Sequence, residues 1–237
     1  GFGYDGAIHE QPRYKEPIYN DGGDTIYLFD QISNKKEEFD LDYKLAVEYL
    51  DNEEVISLPT ETVMGLAVKA SSFKAYNKLI EVKNRPLNKA FPFIVATKKD
   101  IEKYAYVDEV SKKIIDAYMP GPLTIVLKKK ESVSDYITNG KDTIAIRIPD
   151  DSTLLKIVKE LGEPILLTSA NKSGEEASLT SEEVIDIFKD EIPLVIKGKC
   201  KISIASTIVE IKDKNVNILR EGVISKEEIE RLVRVCE

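Results

Sequence analysis

The chain has 237 residues and a formal net charge of -8, from 42 acidic and 34 basic side chains. This balance argues against a protein that coats nucleic acid through its overall charge, although a local basic patch is compatible with it. The longest apolar runs, such as PLTIVL and TIAIRI, have the length of strands and fall far short of the roughly 20 residues that cross a bilayer, so we expect no membrane association.

The first 24 residues differ in composition from the rest of the chain. They are rich in Gly, Pro, Tyr and Asp and have no period, so we interpret residues 1–24 as an irregular arm ahead of one domain over residues 25–237. The first six residues match G-x-G-x-x-G, but no predicted strand precedes them and no helix pattern follows. The match therefore does not indicate a dinucleotide-binding site.

From Thr25 onward, strand and helix patterns alternate. Strands are predicted at 25–29, 54–58, 91–96, 123–129, 143–148, 164–168, 193–196, 204–211 and 216–219. Helices are predicted at 41–52, 71–83, 98–104, 108–118, 151–161, 180–189 and 225–235. The interleaving predicts an α/β fold with helices flanking the sheet, and the closely spaced strands after residue 193 predict antiparallel pairing. The sheet should therefore be mixed.

Several absences restrict the chemistry. The only histidine is His9, in the arm, so neither a Ser-His-Asp or Cys-His catalytic unit nor a histidine-built metal site is expected in the domain. No G-x-x-x-x-G-K-[ST] motif occurs, so a nucleotide would not be held by a P-loop. Cys200 and Cys236 are isolated and form no C-x-x-C motif, which fits two ordinary thiols in a reducing, cytoplasmic compartment.

The predicted strand ends carry a group of polar side chains with one sign of charge. Segments at those ends share hydroxyl, amide and cationic groups: Thr60, Thr62, Ser169, Asn171, Ser173, Ser206, Thr207, Lys83, Arg85, Lys89, Arg147 and Arg220. Glu61 and Glu221 are the only acids within these motifs. Because strand ends on one edge of an α/β sheet converge, they predict a cleft for an anionic ligand, and a polyphosphate needs this many donors.

Arginine is scarce in this chain. Only six of the 34 basic residues are Arg, and three of the six lie in the arm or in the last predicted helix. The other three are Arg85, Arg147 and Arg220, and a guanidinium matches carboxylate and phosphate oxygens in a bidentate way. Such an inventory supports attack at phosphorus by positioning and charge neutralisation, with Mg²⁺ bridging phosphate oxygens.

Seven segments occur in a recognisable order: PTETVMGL, KNRP, PGPLT, AIRIP, TSANKSG, STIV and LREG. Together they resemble the YrdC-like family of L-threonylcarbamoyl-AMP synthases, in the short single-domain form, over roughly residues 25–237. The family pairs a K-x-R element with an S-x-N element. In this chain Lys83 and Arg85 resemble the first element, and Ser169 and Asn171 resemble the second. The resemblance implies a twisted mixed sheet flanked by helices, with an open concave ligand cleft.

The resemblance also implies a reaction. L-threonine and bicarbonate or CO₂ give an N-carboxylated threonine, which attacks the α-phosphate of ATP to form threonylcarbamoyl-AMP and pyrophosphate. Partner proteins then transfer the group to a tRNA adenosine, so contact with tRNA is indirect. Mg²⁺ is expected to arrive with ATP, without a protein metal site or an organic cofactor. The implied roles are ATP binding for Lys83, Arg85, Lys89, Ser169, Asn171 and Arg220, catalysis for Lys83 and Arg85, and threonine binding for Thr60, Thr62, Arg147 and Ser206.

Two positions depart from the family pattern, and two other functions stay open. Met64 stands where the family often has an aromatic residue, and Ile94 aligns with a frequent His, so polar contacts expected around threonine are missing. A shift of the alignment by one or two residues within KAFPFIVA is an alternative explanation of the second departure. One alternative is a non-catalytic RNA-binding or ribosome-assembly module of the same fold. The other is a carbamoyl-AMP transferase, which would use carbamoyl phosphate.

Overall fold

The computed structural model describes residues 18–19, 25–30, 36–86, 89–188, 191–198, 200, 204–212 and 214–234, with side chains from Tyr43 onward. Its strands are β1 (Ile18–Tyr19), β2 (Thr25–Asp30), β3 (Ile56–Leu58), β4 (Gly65–Lys69), β5 (Phe93–Ile94), β6 (Leu123–Lys128), β7 (Thr143–Arg147), β8 (Ile165–Ser169), β9 (Leu194–Lys197), β10 (Thr207–Lys212) and β11 (Asn215–Arg220). Its helices are α1 (Lys36–Asp51), α2 (Phe73–Lys83), α3 (Lys98–Tyr104), α4 (Glu109–Tyr118), α5 (Asp135–Thr138), α6 (Ser152–Leu161), α7 (Ser181–Phe188) and α8 (Lys226–Arg234).

The strands form one mixed sheet in the order β1-β2-β9-β3-β4-β8-β5-β7-β6-β10-β11. Parallel pairs join β2 to β9, β3 to β9, β5 to β7 and β6 to β10, and the other neighbours are antiparallel. The predicted α/β fold with a mixed sheet is confirmed. None of the helices that the structure describes is long and apolar enough to cross a membrane.

Helices pack on both faces of the sheet because its central strands are apolar on both sides. Along β8, Leu166 belongs to one buried cluster while Ile165 and Leu167 belong to the other. The second cluster also contains Leu50 of α1 and Ile157 of α6, and the first contains residues of α2, α4, α7 and α8. A cleft lies on the α1 and α6 face, since Ile94 and Leu167 belong both to the second cluster and to the cleft lining.

Local sequence explains how α2 delivers the K-N-R-P segment to this face. The side chain of Ser72 caps the helix by accepting the backbone N–H of Ala75 at 3.0 Å. Asn84 ends it in the left-handed conformation, with φ of 50°, which asparagine tolerates better than most residues. The chain therefore turns sharply between Lys83 and Arg85.

The structure differs from the predicted elements in three places. β4 and the four-residue α5 were not predicted, and β1 lies inside the arm that we interpreted as irregular, where it pairs with β2. The rest of residues 1–24, including His9, lies outside the described residues, so the domain boundary stays a prediction. Cys200 is buried with a free thiol, and burial raises its pKa, whereas Cys236 lies outside the described residues.

Candidate active site

A cleft of about 220 Å³ gathers the ends of strands that are far apart in sequence. Its polar lining consists of Thr60, Thr62, Arg85, Thr124, Arg147, Thr168, Ser169, Ser206 and Arg220. Apolar side chains complete it, among them Val63, Met64, Ile94, Leu167 and Ile208. The cleft therefore combines an apolar floor with three guanidinium groups, and no carboxylate belongs to its lining.

The T-E-T segment forms one wall as a tight turn between β3 and β4. The hydroxyl of Thr60 donates to the carbonyl of Val63 at 2.8 Å and accepts the backbone N–H groups of Thr62 and Val63 at 3.1 and 3.2 Å. The hydroxyl oxygens of Thr60 and Thr62 are 3.0 Å apart. The Thr60 hydroxyl therefore uses its proton and both lone pairs within the turn, and the Thr62 hydroxyl is the one of the two that is available to a ligand.

Arg147 reaches the cleft from the end of β7. Its Nη2 donates to Oε1 of Glu61 at 2.6 Å, and the two side chains are only 8% and 16% exposed. Its Nε donates to the carbonyl of Gly121 in the P-G-P-L-T segment at 3.4 Å. Glu61 itself is outside the cleft lining, so the ion pair lies behind the surface that a ligand would touch.

Arg220 comes from the edge strand β11, where a bulge directs it. Ile208 pairs with Arg220 while the next residue, Val209, pairs with Ile218, which leaves Leu219 as the extra residue. Arg220 Nη2 donates to the carbonyl of Ser206 at 2.7 Å. Partial desolvation and the nearby charge of Arg147 lower the pKa of this guanidinium, which stays protonated at neutral pH.

Ser206 is joined to a residue that the sequence analysis missed. The hydroxyl oxygens of Ser206 and Thr124 are 2.9 Å apart, and both side chains are buried at the cleft. Thr124 lies in the P-G-P-L-T segment, which was singled out as a motif. The sequence of β6 does not show on which face of the sheet Thr124 lies, so its hydroxyl was not predicted to belong to the site.

Arg85 is held by its own loop. Its Nε and Nη2 donate to the carbonyls of Lys89 and Ala90, each at 2.9 Å, and its guanidinium carbon lies 4.7 Å from the centre of the Phe91 ring. Burial lowers its pKa. Arg85 lines the cleft, whereas Lys89 is exposed outside the lining and contributes its backbone carbonyl to Arg85.

Lys83 binds the S-x-N loop. Its ammonium donates to the carbonyl of Ser169 at 2.7 Å, the carbonyl of Asn171 at 3.0 Å and Oδ1 of Asn171 at 2.9 Å. The residue is 2% exposed, and burial followed by the charge of Arg85 lowers its pKa to about 8. The same Asn171 oxygen accepts the hydroxyl of Ser169 at 2.6 Å. All three ammonium donors are thus engaged by the loop.

The structure brings together seven of the ten residues assigned from sequence. Thr60, Thr62, Arg85, Arg147, Ser169, Ser206 and Arg220 line the cleft, whereas Lys83, Lys89 and Asn171 do not. Ser173 and Thr207 also lie outside the lining. Thr207 is structural, because its hydroxyl donates to the carbonyl of Ile224 at 2.6 Å and accepts two backbone N–H groups at 3.0 Å.

Met64 and Ile94 both line the cleft and are otherwise fully buried. The cleft is therefore apolar at these two positions. Among the described residues, no three His, Cys, Asp or Glu side chains converge in a way that could hold a metal ion.

Comparison with known proteins identifies the family. The family model for Sua5, YciO and YrdC, described as "Telomere recombination", matches residues 48–222. One relative is a Methanocaldococcus jannaschii protein that is provisionally named a threonylcarbamoyl-AMP synthase. It is 41% identical to this chain over 194 residues, which cover 79% of this chain and 91% of that protein.

A second relative is the threonylcarbamoyl-AMP synthase of Pyrococcus abyssi, 31% identical over 80% of this chain. The match spans only 56% of that longer protein. The crystal structure of P. abyssi Sua5 complexed with L-threonine superposes with a TM-score of 0.80 at 29% identity, covering 87% of this chain and 60% of that one. The chain belongs to the Sua5/YciO/YrdC family.

Proposed function

We propose that this chain is an L-threonylcarbamoyl-AMP synthase. It converts L-threonine, bicarbonate or CO₂, and ATP into threonylcarbamoyl-AMP and pyrophosphate, with release of water from bicarbonate or of a proton when CO₂ reacts. The reaction takes place in the cytoplasm and serves the modification of tRNA through partner proteins. The observation that carries the proposal is the single cleft that holds Arg85, Arg147 and Arg220 in a chain with a net charge of -8. The names of the relatives and the L-threonine complex of P. abyssi Sua5 support the same reaction.

The nucleotide occupies the part of the cleft between the K-N-R-P and S-x-N segments in this proposal. Arg85 and Arg220 provide fixed positive charge for the phosphates, and Ser169 offers a hydroxyl. Lys83 and Asn171 act on this site through the loop that they hold, and Lys89 through its carbonyl bond to Arg85. ATP would enter as its Mg²⁺ complex, and the metal would neutralise part of the phosphate charge.

L-threonine occupies the other part of the cleft. Arg147 binds its carboxylate, while Thr60, Thr62 and Ser206 supply the hydroxyl wall around it. The apolar side chains of Met64 and Ile94 pack against the carbon atoms of the amino acid. The proposal requires the carbamate formed on the amino group to face the α-phosphate.

The chemistry needs no protein nucleophile. The carbamate oxygen forms a bond to the α-phosphorus as the bond to the pyrophosphate oxygen breaks, and the leaving group carries away the electron pair. Arg85 and Arg220, which the protein orients before the reaction, stabilise the charge on the phosphoryl oxygens at low reorganisation cost. The protein therefore acts by positioning two substrates and neutralising charge.

The direct test is incubation with ATP, Mg²⁺, bicarbonate and labelled L-threonine, followed by mass detection of the adenylate. Pyrophosphate release should require both threonine and bicarbonate. Release that is unchanged when threonine is omitted or replaced by serine would contradict the substrate assignment. Release with carbamoyl phosphate in place of threonine and bicarbonate would favour the carbamoyl-AMP transferase.

A matched pair of arginine variants tests the location of the site. Arg85→Ala should lower kcat/KM by about tenfold or more, because it removes transition-state stabilisation at the phosphates. Arg231→Ala, on the exposed surface of α8, should change it little. Equal losses from both variants would mean that the cleft is not where catalysis occurs.

A further inference from the structure

Glu61 has an unusual position for an acid in this site. It lies behind Arg147, outside the cleft lining, where its Oε1 accepts both Arg147 Nη2 at 2.6 Å and the backbone N–H of Asp150 at 3.0 Å. Its other oxygen, Oε2, is buried and has no hydrogen-bond partner among the described residues. Glu61 is thus tied both to Arg147, at the end of β7, and to the backbone just after that strand.

The ion pair with Glu61 leaves one edge of the Arg147 guanidinium available to a ligand. Nη2 of Arg147 is engaged by Glu61, and Nε by the carbonyl of Gly121. Nη1 makes no hydrogen bond within the described part of the chain, although Arg147 lines the cleft. A guanidinium anchored at two nitrogens keeps a fixed plane, so the direction in which Nη1 points is set before a ligand binds.

The charges around Arg147 give Glu61 a second effect. Arg220 is close enough for the charge of Arg147 to lower its pKa, so the two cations repel each other. Among the described residues, Glu61 is the only carboxylate that forms an ion pair with either of them. Removing its charge would leave two like charges facing each other in a partly desolvated cleft, and the Arg147 head group would move away from Arg220.

We propose that Glu61 is a positioning residue for the amino-acid substrate: it fixes Arg147 so that Nη1 meets the carboxylate of L-threonine. This inference rests on the proposed synthase function and assigns to Glu61 a role that it exerts only through Arg147. Glu61 does not touch substrate. Its effect should therefore be confined to the amino acid and, within the amino acid, to the carboxylate.

The test is the Glu61→Gln variant, which keeps the shape and an acceptor oxygen but removes the charge. The KM for L-threonine should rise about tenfold, the loss expected for one charge-assisted hydrogen bond that is no longer aligned, while the KM for ATP changes less than about twofold. Glu54→Gln is the matched control, since Glu54 accepts Lys78 Nζ at 2.7 Å far from the cleft and neither KM should change.

Substrate analogues separate positioning from general damage. L-threoninamide lacks the carboxylate. Its KM as a substrate, or its inhibition constant as a competitor, should therefore be nearly the same for the wild type and for Glu61→Gln. Equal losses for L-threonine and L-threoninamide, or a parallel rise in the KM for ATP, would overturn the proposal, because a merely structural role would not distinguish these ligands.

A double variant covers the case in which Glu61→Gln does not fold. Arg147→Gln together with Glu61→Gln leaves no unpaired buried charge, and its KM for L-threonine should equal that of Arg147→Gln alone. A further rise in the double variant would show that Glu61 acts by another route. If the wild type makes no adenylate, the proposed function fails; if the wild type is active and Glu61→Gln has a normal KM for L-threonine, only this inference fails.

Discussion

At the residue scale, the cations of the site divide into two kinds. Arg85, Arg147 and Arg220 line the cleft, while Lys83 lies behind it with its three donors engaged by the S-x-N loop. A planar guanidinium can bind protein with one edge and ligand with the other, whereas an ammonium that makes three hydrogen bonds has no donor left. From the sequence, Lys83 was assigned together with the arginines because all of them are cations. Charge alone does not show which of these side chains has a donor free for a ligand.

The burial of Lys83 leads to a pH-dependent stability. Its pKa is lowered from an ordinary value of 10.5 to about 8, so between these values the unfolded chain binds more protons than the folded protein. The contribution of Lys83 to the free energy of unfolding is therefore lowest below pH 8 and rises as the pH increases toward 10.5.

Urea unfolding of the wild type and of Lys83→Met at several pH values measures this contribution. Lys83→Met should be less stable at every pH, because it leaves buried carbonyls without a donor. The difference in unfolding free energy between the two proteins should grow from pH 8 to pH 10. A difference that stays constant over this interval would mean that the ammonium is protonated as readily inside the protein as in water.

At the element scale, the R-E-G turn after β11 determines where Arg220 lies. A Cβ on Gly222 would lie 2.2 Å from the carbonyl oxygen of Ala205, 2.6 Å from the carbonyl carbon of Ser206 and 2.7 Å from the nitrogen of Thr207. Each of these is a backbone atom of the segment that accepts the guanidinium of Arg220. The close approach of two backbones therefore requires glycine at position 222.

Gly222→Ala should accordingly push the two segments apart. We expect a destabilisation of about 1–3 kcal/mol, as for other overpacked sites, together with a higher KM for ATP because Arg220 shifts. Urea unfolding and steady-state kinetics measure the two effects.

Gly162→Ala provides the comparison. Gly162 ends α6 with φ of 75° and open space around it, so this variant should lose about 1 kcal/mol of stability through backbone strain without a change in KM. If the two variants had the same kinetics, the turn would not control the cleft.

The elements were predictable where pattern alone defines them. Helices such as α6 and strands such as β6 have long apolar periods, and the structure places both within a few residues of the prediction. β4 was missed because Gly65–Lys69 directly follows a polar turn and is stabilised by pairing with both β3 and β8, which sequence does not display. For the same reason the motifs predicted which segments meet at the cleft, but not the positions of Glu61 and Thr124, which depend on the side to which each side chain points.

At the scale of the whole molecule, the distribution of charge separates a substrate cleft from a nucleic-acid surface. The chain has a net charge of -8, whereas the cleft lining contains three arginines and no acid. Such a distribution attracts a small polyanion into the cleft but repels an extended one at the surrounding surface. The synthase and the RNA-binding module therefore differ in what the free protein binds.

We expect free tRNA to bind weakly or not at all in the absence of ATP at about 0.15 M salt, where screening acts over about 8 Å. A mobility-shift titration measures this binding, and a rise in the thermal midpoint with Mg²⁺ and ATP in the same buffer serves as the positive control. Because the cationic cleft is local and the protein is acidic overall, we expect the rise in thermal midpoint with ATP but no mobility shift with tRNA. A tRNA shift that weakens steeply with salt, without adenylate formation, would instead favour the RNA-binding or ribosome-assembly module.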